Sequence, residues 1–232
     1  MTGAAMSGTE ARRARTASKE VRRRQLVEAT IESIATHGMS GTTMATVTGL
    51  ANLSMGIVSL HFRSKDNLFA ETLGHLAEEH RAQWIECMGN ALTPEAKLTA
   101  LVDAHFHPNV CTPEKVSVWF AFFGESRYRD TYLERVAHID TERTEITERL
   151  CRELVETGGY TDVDPHEIAQ TLETLSDGLW LSFMLYPRWL SREDARARVM
   201  GYLARTFPCH FAAGPCRARP HQGSPAPGGV EP

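Results

Sequence analysis

Apolar residues recur every three or four positions along most of the chain, and the strict alternation that marks β-strands is absent. Proline, glycine and capping residues divide this pattern into segments of helical length. The segments predict helices over about 18–37, 65–88, 94–106, 113–124, 128–157, 165–185 and 192–206, and two short helices within 43–62. We therefore expect an all-α protein.

The same pattern divides the chain into four parts. Residues 1–17 lack apolar periodicity and are expected to form a disordered basic arm. Residues 18–64 fit a small three-helix domain, and residues 65–207 fit a larger helical domain. Residues 208–232 are rich in Gly, Pro and Ser, so we expect a disordered tail. The helix at 65–88 is long enough to leave the small domain and enter the larger one.

The two short helices within residues 43–62 are typical of a helix-turn-helix. Thr43 and Ser54 are placed to cap them, and Asn52 lies between them, where a tight turn often needs positive φ. In a DNA-binding unit the second helix enters the major groove. Its outward side would consist of Met55, Gly56, Ile57, Ser59 and Leu60, and its buried side of Leu53, Val58 and Phe62. The alternative is an ordinary pair of packed helices.

The residues after this unit read His61-Phe62-Arg63-Ser64-Lys65-Asp66-Asn67-Leu68, and they begin another helix with Ser64 as its cap. Residues 21 to about 70 together resemble the DNA-binding domain of the TetR family, whose motif runs roughly T-x-x-x-I-A-x-x-A-G-V-S-x-G-x-x-Y-x-H-F-x-x-K. Asn52 stands where that motif has its turn glycine. The resemblance implies a repressor of transcription that binds double-stranded operator DNA. Thr43, Ser54, His61 and Lys65 therefore join the outward residues as candidate DNA contacts.

Charge is distributed unevenly along the 232 residues, whose formal net charge is -4. Residues 1–70 hold nine Lys or Arg against five Asp or Glu, whereas residues 71–232 hold sixteen against twenty-four. A basic end on an acidic protein indicates contact with nucleic acid. Arg22 and Arg23, beside the helix-turn-helix, are candidate phosphate contacts. For the basic residues nearer the N-terminus, a minor-groove arm and a solvated tail are equally good interpretations.

Several other classes of protein are disfavoured. No apolar run approaches the length of a membrane span and no signal peptide is recognisable, so we expect a cytoplasmic protein. The common phosphate-binding, nucleophile and zinc motifs are absent, so we expect neither an enzyme nor a cofactor. Asp103, His105 and His107 alternate as possible metal ligands, but helical residues two apart diverge, so we expect surface histidines and no metal site.

Two segments of the larger domain suggest a ligand. Residues 118–125 place four aromatic side chains next to a carboxylate, and residues 176–181 place an Asp and a Trp within an apolar helix. Aromatic faces with a nearby carboxylate are the groups that bind a quaternary ammonium. The candidates are Trp119, Phe123, Glu125, Asp177, Trp180 and Tyr186. Aromatic residues at this spacing also serve simply as core.

The same segments resemble the ligand domain of one branch of the TetR family, which represses glycine betaine synthesis genes and responds to choline. The resemblance implies choline or a similar effector controlling genes of choline uptake and glycine betaine synthesis; a drug or nitrogen metabolite is the alternative. It also implies a homodimer on a palindromic operator, joined through the helices at 165–185 and 192–206. The expected interface residues are Ile168, Leu172, Leu175, Leu179 and Phe183. Effector binding would release the DNA by swinging the helix at 65–88. A helical enzyme with an N-terminal interaction module remains the alternative of another class.

Overall fold

The computed structural model describes residues 8–211, with side chains from Ser18 onward except that of Ser126. Within that range the chain is all α, as its apolar pattern predicts. The helices are α1 (Gly8–Gly41), α2 (Met44–Ala51), α3 (Met55–His61), α4 (Lys65–Met88), α5 (Pro94–His105), α6 (Pro113–Gly124), α7 (Arg129–Arg135), α8 (Ala137–Gly158), α9 (Pro165–Leu185), α10 (Arg192–Thr206) and α11 (Pro208–Phe211), with a 3-10 turn at Ser126–Tyr128.

The small N-terminal bundle consists of α1, α2 and α3 packed on the start of α4. Its centre is formed by side chains with almost no solvent exposure: Leu26, Val47, Val58, Phe62 and Leu68. Gly38 ends the long regular part of α1 because its φ of 70° and ψ of 175° lie outside the helical region. The chain can therefore turn from α1 into the helix-turn-helix within a few residues.

The two chain ends differ from expectation. Helix α1 begins at Gly8, so residues 8–17, expected to be disordered, are helical. Ala and Arg make up six of the ten residues of this stretch and have high intrinsic helix propensity, whereas the prediction relied on apolar periodicity, which reports burial. At the other end, residues 208–211 form the single turn α11. The remaining parts of the expected arm and tail, residues 1–7 and 212–232, lie outside the described range, as do the side chains of Arg12, Arg13 and Arg15.

Two helices, α4 and α6, connect the small bundle to the rest of the protein. Helix α4 starts in the bundle and continues into the larger part, where it packs mainly on α5. Helix α6 lies against α1, so it touches the small bundle directly. The larger part is completed by α8, α9 and α10, each packed on the next.

One predicted helix is wrong. The helix expected over 128–157 is broken into α7 and α8 at Val136, whose φ and ψ are -121° and -37°. The break contains neither Pro nor Gly, so local sequence does not require it. Val136 is buried, and the Tyr132 hydroxyl donates to Asp140 Oδ2 across the break at 2.7 Å. Tertiary contacts therefore override the helix propensity of this segment.

No helix within residues 8–211 combines the length and the apolar character that a bilayer span requires.

Candidate DNA-binding and ligand-binding sites

The turn of the helix-turn-helix has the backbone geometry that its sequence predicts. Asn52 is left-handed, with φ 52° and ψ 46°. Thr43 caps α2 through a reciprocal pair of hydrogen bonds with Thr46, which is a capping box with Thr in place of the usual acid or amide. Ser54 occupies the N-cap position of α3, but its side chain makes no capping hydrogen bond. Its hydroxyl is exposed and available to another partner.

Helix α3 presents one face to the core and one to solvent. Val58 is fully buried, whereas Leu60 and Met55 are 71% and 47% exposed. Gly56 and Ser59 are also exposed, while Ile57, expected on the outward side, is half-buried against the core. A Cβ on Gly56 would meet only Ser54 Oγ, at 3.9 Å, so packing within the chain does not require glycine there.

Four of the candidate DNA contacts have basic side chains, namely Arg22, Arg23, His61 and Lys65, and two of these are held by the protein itself. Arg23 forms an ion pair with Glu71 at 2.5 Å and lies over the Phe62 ring. Lys65 Nζ donates to the carbonyl of Met39 at 2.9 Å and lies over the Phe69 ring. These contacts give both residues a structural role that the charge pattern did not predict. A lysine ammonium has three donors, so Lys65 keeps two for other partners.

The other two candidates differ from each other. Arg22 is exposed, and its guanidinium donates to Gln25 Oε1 at 2.8 Å. His61 is half-buried, its Nδ1 is buried without a hydrogen-bond partner, and burial together with nearby Lys19 and Arg23 lowers the pKa of the imidazole. The lowered pKa favours the neutral imidazole of His61, so Arg22 is the one of these two residues that presents an exposed positive charge.

A cavity lies where α4, α5, α6, α7, α8 and α9 meet. Its empty volume is about 430 Å³, including an open mouth. It is lined by Ala77, His80, His105, Trp119, Phe123, Tyr132, Val136, Ile139, Asp140, Arg143, Asp177 and Trp180. The cavity thus brings together Trp119, Phe123, Asp177 and Trp180, four of the six candidate ligand residues.

The remaining two candidates, Glu125 and Tyr186, are not in the lining. Glu125 is the C-cap residue of α6. It lies two positions after Phe123, so its side chain points to a different side of the helix. Tyr186 follows the last residue of α9 and is 53% exposed, with its ring stacked on Trp189 at 5.8 Å between centroids. Residue type alone predicts these two side chains as ligand contacts, and residue type carries no information on the direction of a side chain.

The rings of the cavity form two groups. At the aromatic end, which we define as Trp119, Phe123 and Tyr132, ring centroids are 5.4 to 6.5 Å apart. At the imidazole end, which we define as His80 and His105, both rings contact Trp180, and His105 stacks on it at 4.2 Å. Trp119 and Trp180, 6.5 Å apart, connect the two ends.

The charges around the cavity favour a cation. Arg143 is held by Glu173 through two hydrogen bonds of 3.1 and 2.5 Å and lies 3.5 Å from Asp140. Glu173 balances the charge of the Arg143 guanidinium. Asp140 and Asp177 therefore give the cavity a net negative charge when both carboxyls are ionised. Asp177 stands at the open side, yet burial raises its pKa to about 6, an effect that Arg143 partly offsets. A bound cation would stabilise the ionised form.

The two histidines are neutral members of the site. Burial, helped by the charge of Arg143, lowers the pKa of His80 and of His105 well below the ordinary value. His105, expected at the surface, is only 5% exposed, and its Nε2 has no hydrogen-bond partner. The expectation failed because Pro108 marks the end of α5 without showing that this end is buried. Across the described residues, no group of three His, Cys, Asp or Glu side chains could hold a metal ion.

Sequence reasoning missed other lining residues, some of which a helical signal could have identified. His80 follows the buried positions Leu73, Leu76 and Ala77 at helical spacing, so it belongs to the buried face of α4. Arg143 lies between Ile139 and Thr147 on the buried face of α8. A charged or titratable residue on such a face indicates a polar site. No comparable signal identifies Tyr132, since its position depends on the break at Val136.

The expected dimer stripe is wrong for three of its five residues. Ile168, Leu172 and Leu179 are each 5% exposed because they pack in their own chain, and Leu175 and Phe183 are half-buried. An apolar period shows that a face is buried without showing whether its partner is the same chain. The outward face of α9 instead carries Thr171, Thr174, Gly178, Leu181 and Leu185, with Leu181 and Leu185 37% and 54% exposed.

Comparison with known proteins gives a consistent result. Residues 26–72 match the model of bacterial regulatory proteins of the tetR family, and residues 94–208 match that of the BetI-type transcriptional repressor C-terminal domain. The HTH-type transcriptional regulator BetI of Burkholderia thailandensis is 36% identical over 170 residues, covering 70% of this chain and 82% of the relative. That of Burkholderia cenocepacia is 35% identical over 164 residues, with the same coverage.

Solved structures share the fold. A transcriptional regulator from Pseudomonas aeruginosa PAO1 has a TM-score of 0.70 at 25% identity, covering 82% of this chain and 93% of the other. A regulator from Saccharomonospora viridis in complex with choline has a TM-score of 0.66 at 20% identity, covering 78% and 94%. The relatives are regulators, so this chain is a regulator and not an enzyme. With its helix-turn-helix, its all-α architecture and these relatives, the chain belongs to the TetR family of transcriptional regulators and has a BetI-type C-terminal half.

Proposed function

We propose that this regulator is a dimeric repressor that binds a palindromic operator and is released by a small quaternary ammonium compound, with choline as the effector. The genes controlled would be those of choline uptake and glycine betaine synthesis. The observation that carries the proposal is the cavity, because it combines an aromatic end, two carboxylates and neutral imidazoles. The choline complex of the S. viridis regulator and the BetI name of the relatives support it.

A quaternary ammonium fits the cavity chemistry. It has no N–H to donate, so its binding relies on ring faces and on the field of nearby carboxylates. Trp119, Phe123 and Tyr132 supply three rings, and Asp140 and Asp177 supply the charge. An anionic effector would meet those carboxylates unpaired, and a neutral one would leave their charge uncompensated.

The DNA-binding proposal rests on α3. Its exposed face carries Met55, Gly56, Ser59 and Leu60, with the Ser54 hydroxyl at its start. Two copies of this helix would read adjacent major grooves about 34 to 36 Å apart, which requires a two-fold protein. The outward face of α9, next to α10, is suited to form the dimer contact because small residues allow close approach of two helices and Leu181 and Leu185 provide apolar area.

A route from the cavity to the DNA-binding bundle runs through α6. Phe123 lines the cavity, while its neighbour Phe122 packs against Phe69 and Tyr128 on the other side of the helix. Phe69 belongs to α4, close to the helix-turn-helix, and its ring also contacts Lys65. An effector that shifts the last turn of α6 would therefore shift the start of α4. Repositioning α4 would change the spacing of the two recognition helices.

Calorimetry with choline and its neutral isostere 3,3-dimethylbutan-1-ol tests the effector. We expect choline to bind the full chain more tightly by about tenfold, the preference that one or two desolvated ring contacts give. Phe123→Leu should reduce that preference; it is a better variant than one at Trp180, whose indole donates to the carbonyl of His105 at 3.1 Å. Absence of choline binding at millimolar concentration, or equal affinity for both compounds, would refute choline as effector and leave a repressor for another ligand.

A further inference from the structure

One residue in the cavity wall has a buried polar atom without a partner in the protein. His105 lies 95% within the protein, and its Nε2 has no hydrogen-bond partner. The backbone of Ser176 raises the pKa of the imidazole, against the larger lowering by burial and by Arg143, but Nε2 makes no hydrogen bond of ordinary geometry. A buried nitrogen without a partner is costly, so such groups usually await a ligand or a water.

The other buried ring nitrogens nearby either have a hydrogen-bond partner or belong to residues outside the cavity wall. The guanidinium of Arg143 can only donate, so its contact of 3.5 Å with His80 Nδ1 makes that nitrogen an acceptor. Trp84 also has an unpartnered buried nitrogen, but Trp84 is absent from the cavity lining. Among the described side chains, His105 is therefore the one that combines an unmatched nitrogen with a place in the cavity wall.

The cavity is also polarised along its length. The imidazole end presents two neutral rings that can form hydrogen bonds, beside a guanidinium whose charge Glu173 already balances, whereas the aromatic end presents ring faces that attract a cation. A ligand with an ammonium at one end and a neutral oxygen at the other would thus enter in a single orientation. Its ammonium would contact Trp119, Phe123 and Tyr132, and its oxygen would approach the imidazoles.

We propose that His105 recognises a hydroxyl group of the effector, so that the regulator responds to hydroxyl-bearing quaternary ammonium compounds and discriminates against alkyl ones. This inference rests on the proposed function, and it adds a second determinant to the cation. A neutral imidazole can donate to or accept from a hydroxyl, so either tautomer of His105 suffices. Stacking on Trp180 fixes the plane of the ring and so the position of the nitrogen.

The test compares choline with propyltrimethylammonium, in which a methyl group replaces the hydroxyl, by calorimetry on the full chain. Wild-type protein should prefer choline by about threefold to tenfold, the range of one neutral hydrogen bond. His105→Phe keeps a planar ring against Trp180 and should bring the ratio to about one. His105→Gln keeps a hydrogen-bonding side chain and should restore part of the preference.

Phe123→Leu is the matched control at the other end of the cavity. It should lower the preference for choline over 3,3-dimethylbutan-1-ol while leaving the ratio of choline to propyltrimethylammonium unchanged. Equal binding of choline and propyltrimethylammonium to wild-type protein overturns the role of His105 and leaves the ammonium proposal standing. A ratio that survives in His105→Phe overturns it too; if that variant does not fold, the wild-type ratio and His105→Gln decide. Failure of both ammonium compounds to bind overturns both proposals together.

Discussion

The hydroxyl of Tyr128 donates a hydrogen bond of 2.7 Å to Asp66 Oδ1, which joins the turn after α6 to the first turn of α4. Arg127 donates to the same oxygen at 3.0 Å. The Tyr128 bond, followed by the Arg127 contact, lowers the pKa of the Asp66 carboxyl, so the ionised form is the one that holds the two segments together. This connection lies between the cavity helix and the helix that follows the DNA-binding motif.

Tyr128→Phe should weaken the response to effector more than it weakens operator binding. The variant keeps the ring among Phe69 and Phe122 and removes the hydroxyl, which donates to Asp66 and accepts from Arg127 at 2.8 Å. We expect the loss of operator affinity caused by saturating effector to shrink by severalfold, since a hydrogen bond to a charged group contributes about 1.5 kcal/mol or more. Gel-shift titrations with and without choline measure it. An unchanged ratio would show that coupling runs elsewhere, through α1 and α6 for example.

Arg22→Ala should weaken operator binding evenly across DNA sequences. Its guanidinium contacts only Gln25 in the described part of the chain, so a loss of affinity reports on DNA and not on folding. The slope of log affinity against log salt should become shallower by about 0.9, the effect of one phosphate contact. Arg149→Ala, an exposed change on α8, should leave the slope unaltered. Lys65→Ala is a poorer test because it also removes the bond to Met39.

Local chemistry predicted local structure well. Capping residues and prolines placed the ends of α4, α6, α9 and α10 at the observed residues, since caps act through the backbone of their own helix. Asn52 adopts the left-handed conformation that the short connection requires. The break between α7 and α8 has no such local cause, because packing of Val136 and the bond from Tyr132 to Asp140 produce it.

The candidate site was predictable only in its residue types. Trp119, Phe123, Asp177 and Trp180 line one cavity, but their convergence depends on how two helices, α6 and α9, cross. Glu125 and Tyr186 have equally suitable chemistry and face elsewhere. Similarly, the apolar stripe of α9 fills the core of its own chain, so periodicity could not identify the face left for a partner.

Gly178→Arg should prevent dimer formation. Gly178 lies in the middle of the outward face of α9, where an added Cβ meets nothing within 4 Å, so the single chain can accept a larger side chain. In a close helix contact the arginine would be buried without a partner, at a cost of several kcal/mol. Sedimentation at micromolar concentration should show a monomer. Gly124→Arg, also unobstructed but located at the end of α6, is the control and should remain dimeric. A dimeric Gly178→Arg would place the interface on another face.

Choline affinity should fall as the pH is lowered through about 6, because the pKa of Asp177 is about 6 and only its ionised form attracts the ammonium. If binding depends fully on that charge, the affinity for choline at pH 5 would be about tenfold weaker than at pH 7.

The same carboxyl affects the stability of the fold with the opposite sign. A carboxyl whose pKa is raised from 3.8 by burial binds its proton more tightly in the folded chain than in the unfolded chain. Its contribution to the free energy of unfolding therefore decreases as the pH rises from about 4 to about 6. Asp177→Asn should bind choline more weakly at pH 7. Neither its choline affinity nor its stability should show the pH dependence of the wild type. An affinity that stays constant from pH 7 to pH 5 in the wild type would assign the charge of the site to Asp140 alone.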